Sequence, residues 1–260
     1  MPEVSRVRPI FLILFFALYV CGCSSAPYTG RSQIILIGED QERSMGFSAY
    51  QSLVKKEKVV KGTAASEMLE RVGGRIAAAA DRPDYDWEFV LVENDQLANA
   101  FALPGGKVFV YTGILKYTKN EAGLATVVGH EIAHVLARHG AERMSMGLLA
   151  QLGEAALLTA VNSQSPTAVR AFQGAYGMAA NIGVILPYSR QQEYEADRIG
   201  LILMAKAGYD PRSALDFWER MSRSSGDPKQ PPFLSTHPTD EARIEKIREL
   251  LPEALSYSSR

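Results

Sequence analysis

The chain has 260 residues, 47% of them hydrophobic and 22% charged, with a formal net charge of -1. That balance is the one of an ordinary globular protein with one or two domains, and it excludes a nucleic-acid binder driven by charge. Fixed-period repeats and low-complexity tracts are absent from the sequence, which excludes a solenoid or an array.

Arg6 and Arg8 precede an apolar run over residues 10–20. The run is too short to span a bilayer as a stable helix and suits the core of a signal peptide. It ends in Val20-Cys21-Gly22-Cys23-Ser24, which resembles the bacterial lipoprotein signal. The resemblance implies residues 1–22 as a removed signal peptide and lipidation of Cys23. Cys21 fits less well, because Val20 would stand where a small residue belongs. Ser24 in place of an aspartate implies the outer membrane of a Gram-negative cell, facing the periplasm. The competing reading is an uncleaved membrane anchor. Both cysteines lie in this segment, so the mature chain would have no disulfide.

Residues 24–31 read as a polar tether, so that residues 23–31 form a lipid-anchored linker. A single domain is expected over residues 32–252, with a flexible tail over 253–260. Residues 34–37 are a short apolar run, a strand or a plug. Residues 41–58 and 63–80 carry helical periodicity, and in the second Met68, Leu69, Val72, Ile76 and Ala80 share one stripe. Residues 87–92 and 108–111 are β-rich, and Pro104-Gly105-Gly106 between them marks residues 101–111 as a hairpin. Asn120 is the predicted N-cap of a helix starting at Glu121, with helical pattern over 126–143. Residues 145–185 are rich in Ala, Gly, Leu and Met; a core helical hairpin, a lid over the cleft and a membrane-contacting surface are the readings they allow. Helices are expected over 188–208, after Asp210-Pro211, and over 239–251, with a Ser-, Gly- and Pro-rich loop over 222–235. The predicted class is α+β, mainly helical, with a small mixed or antiparallel sheet.

His130-Glu131-Ile132-Ala133-His134 is an HExxH inside the predicted helix. Positions i and i+4 lie on one helix face, so both imidazoles can reach one metal ion. Glu131 sits beside the first histidine, placed to take a proton from an attacking water. A catalytic zinc takes three protein ligands. The class that uses HExxHxxGxxH is excluded, since Ala137 and Gly140 stand where its glycine and third histidine belong. The other class takes a glutamate from a later helix. Glu193 and Asp197 are again one turn apart. Glu193 can ligate, and Asp197 can accept a hydrogen bond from the far nitrogen of His130. Glu195 reads as surface. His139 reads as a solvated residue, or one that meets the helix C-terminal dipole.

Four motifs in order give the chain a resemblance to the HtpX, BepA and LoiP type of zinc metallopeptidases, relatives of the CAAX prenyl proteases and the mitochondrial Oma peptidase. They are Asn99-Ala100-Phe101-Ala102-Leu103-Pro104-Gly105-Gly106-Lys107 with the strand after it, Val128 to His134, Ser189 to Gly200, and Thr236-His237-Pro238 with Arg243. The lipoprotein signal and the single domain look most like the LoiP branch, and the tetratricopeptide part of the BepA branch is not seen. The resemblance implies a gluzincin metallopeptidase domain with its sheet beside the HExxH helix. It implies one zinc per chain, held by His130, His134 and Glu193, with Asp197 and Arg243 behind them. His237 would latch the open metal position or stabilise the oxyanion. An extended substrate would lie along the edge strand at Asn99, Phe101, Ala102 and Leu103. The substrates implied are unfolded or misassembled envelope proteins, with the outer-membrane assembly machinery as a further partner and no nucleic acid. The alternative is a chaperone or assembly factor for outer-membrane proteins with a latched, rarely active site. A membrane-embedded prenyl protease is disfavoured, because no later segment offers a charge-free run long enough to span.

Overall fold

In the four-stranded sheet the order is β3-β4-β6-β5, with β3 Val59–Val60, β4 Glu88–Val92, β5 Ala100–Leu103 and β6 Lys107–Tyr111. The computed structural model describes residues 23–161, 170, 186–225 and 230–258. The signal-peptide reading, and most of the 145–185 segment after Val161, lie outside them. The central strand β6 runs parallel to β4 and antiparallel to β5, and every one of its residues is buried. The expected hairpin is present, with Phe101 opposite Phe109 and their rings stacked at 5.1 Å. Among the described residues β5 pairs only with β6 and is a sheet edge.

The helices, in chain order, are α1 Glu39–Lys56, α2 Ala64–Ala80, the single turn α3 Leu115–Thr118, α4 Glu121–Leu136, α5 His139–Val161, α6 Leu186–Lys206, α7 Ser213–Ser222, α8 Pro232–Thr236 and α9 Glu241–Leu255. Helix α2 opens on a capping box between Thr63 and Ser66, which satisfies two orphan donors reciprocally. Asn120 caps α4 as expected, accepting from the Gly123 N–H at 3.0 Å. Helix α4 is buried from Gly123 to Leu136, between α2, α6, α7 and the sheet. It crosses α6 at a glycine pair. A Cβ on Gly200 would stand 3.1 Å from both the Gly129 carbonyl carbon and the His130 nitrogen. Only glycine lets the two backbones come this close, and that contact sets the HExxH helix against Glu193 and Asp197.

Several boundaries differ from the sequence pattern for identifiable reasons. Residues 126–143 are not one helix. Arg138 adopts φ 52°, a left-handed conformation that breaks the chain between α4 and α5. A non-glycine residue there costs roughly 1 kcal/mol or more. Its side chain is held in return, with Nε 2.8 Å from Glu42 Oε2 and Nη2 2.8 Å from the Ile37 carbonyl. Residues 24–31 are not a free tether. A ribbon of β1 Cys23–Ser25 and β2 Ser32–Ile34 packs on the body, Ala26 is buried, and Arg31 is ion-paired to Glu142 and Glu195. The 222–235 loop ends in α8. The last helix runs through Pro252 to Leu255 with Ala254 buried and Glu253 paired to Arg198 at 2.7 Å, so the flexible tail does not start at 253. No helix among the described residues is long and apolar enough to cross a membrane.

Candidate metal centre

Three elements bring one polar cluster together inside the fold. Helix α4 supplies His130, Glu131 and His134 from its last two turns. Helix α6 crosses behind it and supplies Glu193 and Asp197. The C-terminal end of α8 supplies His237, whose N–H donates to the Phe233 carbonyl at 2.8 Å. The same helix is pinned to the sheet, since the Phe233 N–H donates to the Ala98 carbonyl just before β5 at 3.1 Å.

Donor atoms of His130, His134, Glu193 and His237 all lie within 4.8 Å of one another, and all four residues are buried. Nε2 of His130 is 3.1 Å from Nε2 of His134 and 3.1 Å from Nδ1 of His237. The Glu193 carboxylate lies 3.2 Å from His130, 3.3 Å from His134 and 3.0 Å from His237. Nδ1 of His130 stands 3.0 Å from Asp197 Oδ1, so the single proton of the neutral ring belongs on that side, which turns its Nε2 lone pair to the cluster. Ring lone pairs and a carboxylate aimed at one point repel each other unless a cation sits among them. A histidine, histidine, glutamate set suits zinc, which takes nitrogen and oxygen donors. The residues present therefore fit a metal of this kind.

Arg243 is 2% exposed, on α9, and grips both oxygens of Asp197 at 2.7 and 2.9 Å. Its Nη1 lies 3.1 Å from Glu193 Oε2, and its guanidinium stacks over Trp218 at 3.8 Å. It is thus a buried cation behind the cluster. Burial opposes the ionised form of Glu193, but His237, His134 and Arg243 overcome it and hold the carboxyl well below its usual range. Asp197 is lowered against burial in the same way, chiefly by Arg243. Burial also opposes the charged form of His130, yet the hydrogen bonds and charges of Asp197 and Glu193 raise it to about 9 without a metal. Burial pushes Glu131 up, against the pull of His237 and His130. His237 reaches Glu131 as well, with Nε2 3.3 Å from Oε1.

The expected substrate strand lies beside this cluster. Ala100 and Ala102 face the α4 core, while Phe101 and Leu103 pack on the opposite face with Phe109 and Tyr111. The side chains of Phe101 and Leu103 thus lie away from the HExxH helix, and β5 turns its two alanines towards it. Asn99 is partly buried, its carbonyl accepting from the Tyr111 N–H at 3.0 Å. A cavity of about 160 Å³ between α6 and α9 leads to Glu193 and is lined by Arg190, Tyr194, Pro238 and Arg243. A larger hollow of about 500 Å³ beside β3 and β4 contains none of these residues.

Two residues read from the pattern as solvated are in fact buried under the cluster. His139 is 0% exposed, and Glu195 is 5% exposed. Nδ1 of His139 is 2.8 Å from Nδ1 of His134, and its Nε2 is 3.0 Å from Glu195 Oε2. The helix break at Arg138 is what swings His139 under His134. Its one sequence signal is a histidine five residues after the second histidine of HExxH, which no straight-helix argument would place there.

The family model for peptidase family M48 matches residues 63–251. The chain is 38% identical over 232 residues to the mitochondrial metalloendopeptidase OMA1 of Schizosaccharomyces pombe, covering 88% of this chain and 66% of that protein. It is 34% identical over 260 residues to the human mitochondrial metalloendopeptidase OMA1, covering 94% of this chain and 49% of that protein. To the beta-barrel assembly-enhancing protease of Yersinia pestis it is 32% identical over 226 residues, 85% of this chain and 46% of that protein. The chain thus spans less than two thirds of the length of each of these relatives.

Proposed function

The chain belongs to peptidase family M48, and on that premise we propose that it is a zinc-dependent metalloendopeptidase acting on misfolded or misassembled cell-envelope proteins. The observation that carries the reading is the convergence of four buried donors within 4.8 Å, next to Glu131. His130, His134 and Glu193 would hold the ion. When bound, zinc supplies Lewis acidity, polarising the scissile carbonyl and easing deprotonation of water. Glu131 takes the proton of the attacking water and returns it to the leaving amine. Its burial, which raises its proton affinity, suits both halves of that task. Asp197 keeps His130 in the tautomer that ligates, and Arg243 holds Asp197 ionised. Backbone groups of the β5 edge bind an extended peptide with little side-chain selectivity. A relative whose name includes beta-barrel assembly supports envelope proteins as the substrate class. Lipidation of Cys23 would tether the β1–β2 ribbon to the outer membrane, facing the periplasm.

Glu131→Gln tests the chemistry. The variant is expected to bind zinc as wild type does and to leave casein uncut, while wild type cuts it. Cleavage by the variant at the wild-type rate would sink the mechanism.

A second reading, an assembly factor with a latched site, is favoured by one contact. Nδ1 of His237 sits among the donor atoms, 3.1 Å from His130 Nε2, where the open metal position belongs. A faster His237→Ala variant would support the latch. An inactive one would support a direct role of His237 at the oxyanion.

A further inference from the structure

The two histidines of the HExxH face are held from behind in different ways. Nδ1 of His130 meets a carboxylate directly, 3.0 Å from Asp197, and Arg243 caps that carboxylate. Nδ1 of His134 meets a second histidine, His139, at 2.8 Å. The far nitrogen of His139 lies 3.0 Å from Glu195 Oε2. Glu195 accepts from Arg31 Nε at 2.7 Å and from the Thr29 hydroxyl. The remaining Arg31 nitrogens donate to Glu142 at 2.7 and 2.8 Å, and Gln192 donates to the same carboxylate at 2.6 Å. His139, Glu142 and Glu195 are all buried.

Counting protons leaves one arrangement for a ligating His134. Its Nε2 points into the donor cluster, 3.1 Å from His130 Nε2 and 3.3 Å from Glu193 Oε1. To offer a lone pair there, a neutral imidazole must carry its proton on Nδ1. That N–H then donates to Nδ1 of His139, which must be an acceptor. His139 therefore carries its proton on Nε2 and donates it to Glu195. The opposite assignment would turn the His134 lone pair away from the cluster.

We propose that His139 and Glu195 are positioning residues for His134, and that residues 29–31 lock this relay, making the N-terminal segment part of the metal centre. The proposal rests on the reading of His134 as a metal ligand. The relay does for His134 what Asp197 does for His130: it fixes the tautomer, orients the ring and raises its basicity. Its distinctive consequence is that zinc affinity depends on a segment that lies at the start of the described chain, far in sequence from the motif.

The test uses the full chain, with zinc as the probe. Long-range proton–nitrogen NMR of the zinc-loaded wild type is expected to show His134 protonated on Nδ1 and His139 on Nε2. His139→Ala is expected to lose about 10- to 100-fold in zinc affinity by chelator competition, and to shift the visible absorption of the cobalt-loaded protein. His139→Gln should stay within about threefold of wild type, because its amide oxygen can accept from His134 while its N–H donates to Glu195. Arg31→Gln should weaken zinc binding by several-fold and covers the case in which His139→Ala does not fold. Thermal unfolding of the metal-free variants measures lost packing separately. His139 protonated on Nδ1, equal losses in the Ala and Gln variants, or unchanged affinity in both His139→Ala and Arg31→Gln would each overturn the relay. A wild type that binds no zinc would instead overturn the reading of the site itself.

Discussion

The crossing of α4 and α6 makes a sharp prediction, because the metal cluster depends on how closely two backbones approach. Gly200→Ala puts a Cβ 3.1 Å from the Gly129 carbonyl carbon and the His130 nitrogen, and 3.2 Å from the Gly129 oxygen. Comfortable carbon contacts lie at about 3.5–4.0 Å, so the helices must part by a few tenths of an ångström. Backbone of a buried helix is what stands in the way, and it has no rotamer to change. Glu193 and Asp197 ride on α6 within seven residues of Gly200, on the order of 10 Å along the axis. Metal–ligand distances tolerate only about ±0.2 Å, so a shift of this size uses up the whole tolerance. Overpacking costs about 1–3 kcal/mol, against roughly 1 kcal/mol gained by removing a helical glycine. Net stability should fall by at most about 2 kcal/mol, whereas zinc affinity should fall about tenfold. Gly74→Ala is the control. It lies in α2 with nothing within 4 Å of the new Cβ, and it should gain about 1 kcal/mol with zinc binding unchanged. Chelator competition and denaturant unfolding of the metal-free proteins read both quantities. If Gly200→Ala bound zinc like wild type and gained stability like Gly74→Ala, the close-approach argument would be refuted.

Zinc binding should release a proton. His130 is raised to about 9 in the metal-free protein, so at neutral pH the ion displaces a proton from it. Affinity should rise with pH up to about 9 and level off above, read by titration calorimetry in buffers of different ionisation heat. Metal-free stability should run the other way. The folded value lies above the ordinary one near 6.5, so the contribution of His130 is full below 6.5 and is lost as pH rises through about 9. Arg243→Met should cost about 3–5 kcal/mol in denaturant unfolding, because it leaves buried Asp197 without its cation. A loss below 1 kcal/mol would mean Asp197 is neutral instead. At the other carboxylate, Glu195, burial is outweighed by His139, Arg31 and Thr29, which hold it down at about 2. Its stabilisation is full above its ordinary value near 4.5 and is lost as pH falls through about 2, so Glu195→Gln should flatten the acid limb of the stability profile.

Much of the cluster was legible because short-range geometry suffices for it. HExxH and ExxxD each place two side chains on one face, and the need for a third ligand joins the two helices without knowledge of the fold. The hairpin and the Asn120 cap announce themselves through turn and capping chemistry. What escaped has a common cause, since it depends on long-range burial. Glu195 looked like surface because it lies off the Glu193 and Asp197 face. Helix α6, however, is buried around most of its girth, with Gln192, Glu193, Glu195, Ala196 and Asp197 all inside. The break at Arg138 carries no glycine to mark it. It is stabilised by Glu42 and Ile37, 96 and 101 residues upstream. Three-residue strands such as β1 and β2 have no periodicity to read, so their docking could not be seen in the pattern.

Charge explains why this cluster favours a cation. Glu131, Glu193 and Asp197 are each 5% exposed or less, and Arg243 is the one guanidinium among them. Three ionised carboxylates and one arginine leave two negative charges where an unpaired ion costs several kcal/mol. Without metal, the protein meets that cost by holding a proton on His130 and by raising the proton affinity of Glu131. A divalent ion would cancel the two charges in one step, and would leave His130 free to ligate and Glu131 free to act as a base. His237 sits against the same carboxylates. Its ring bridges two of these carboxylates, with Nε2 3.3 Å from Glu131 Oε1 and Nδ1 3.0 Å from Glu193 Oε2. Metal binding and the readiness of the base would therefore be coupled, which is why a change at Asp197 or Arg243 should be felt at Glu131 as well.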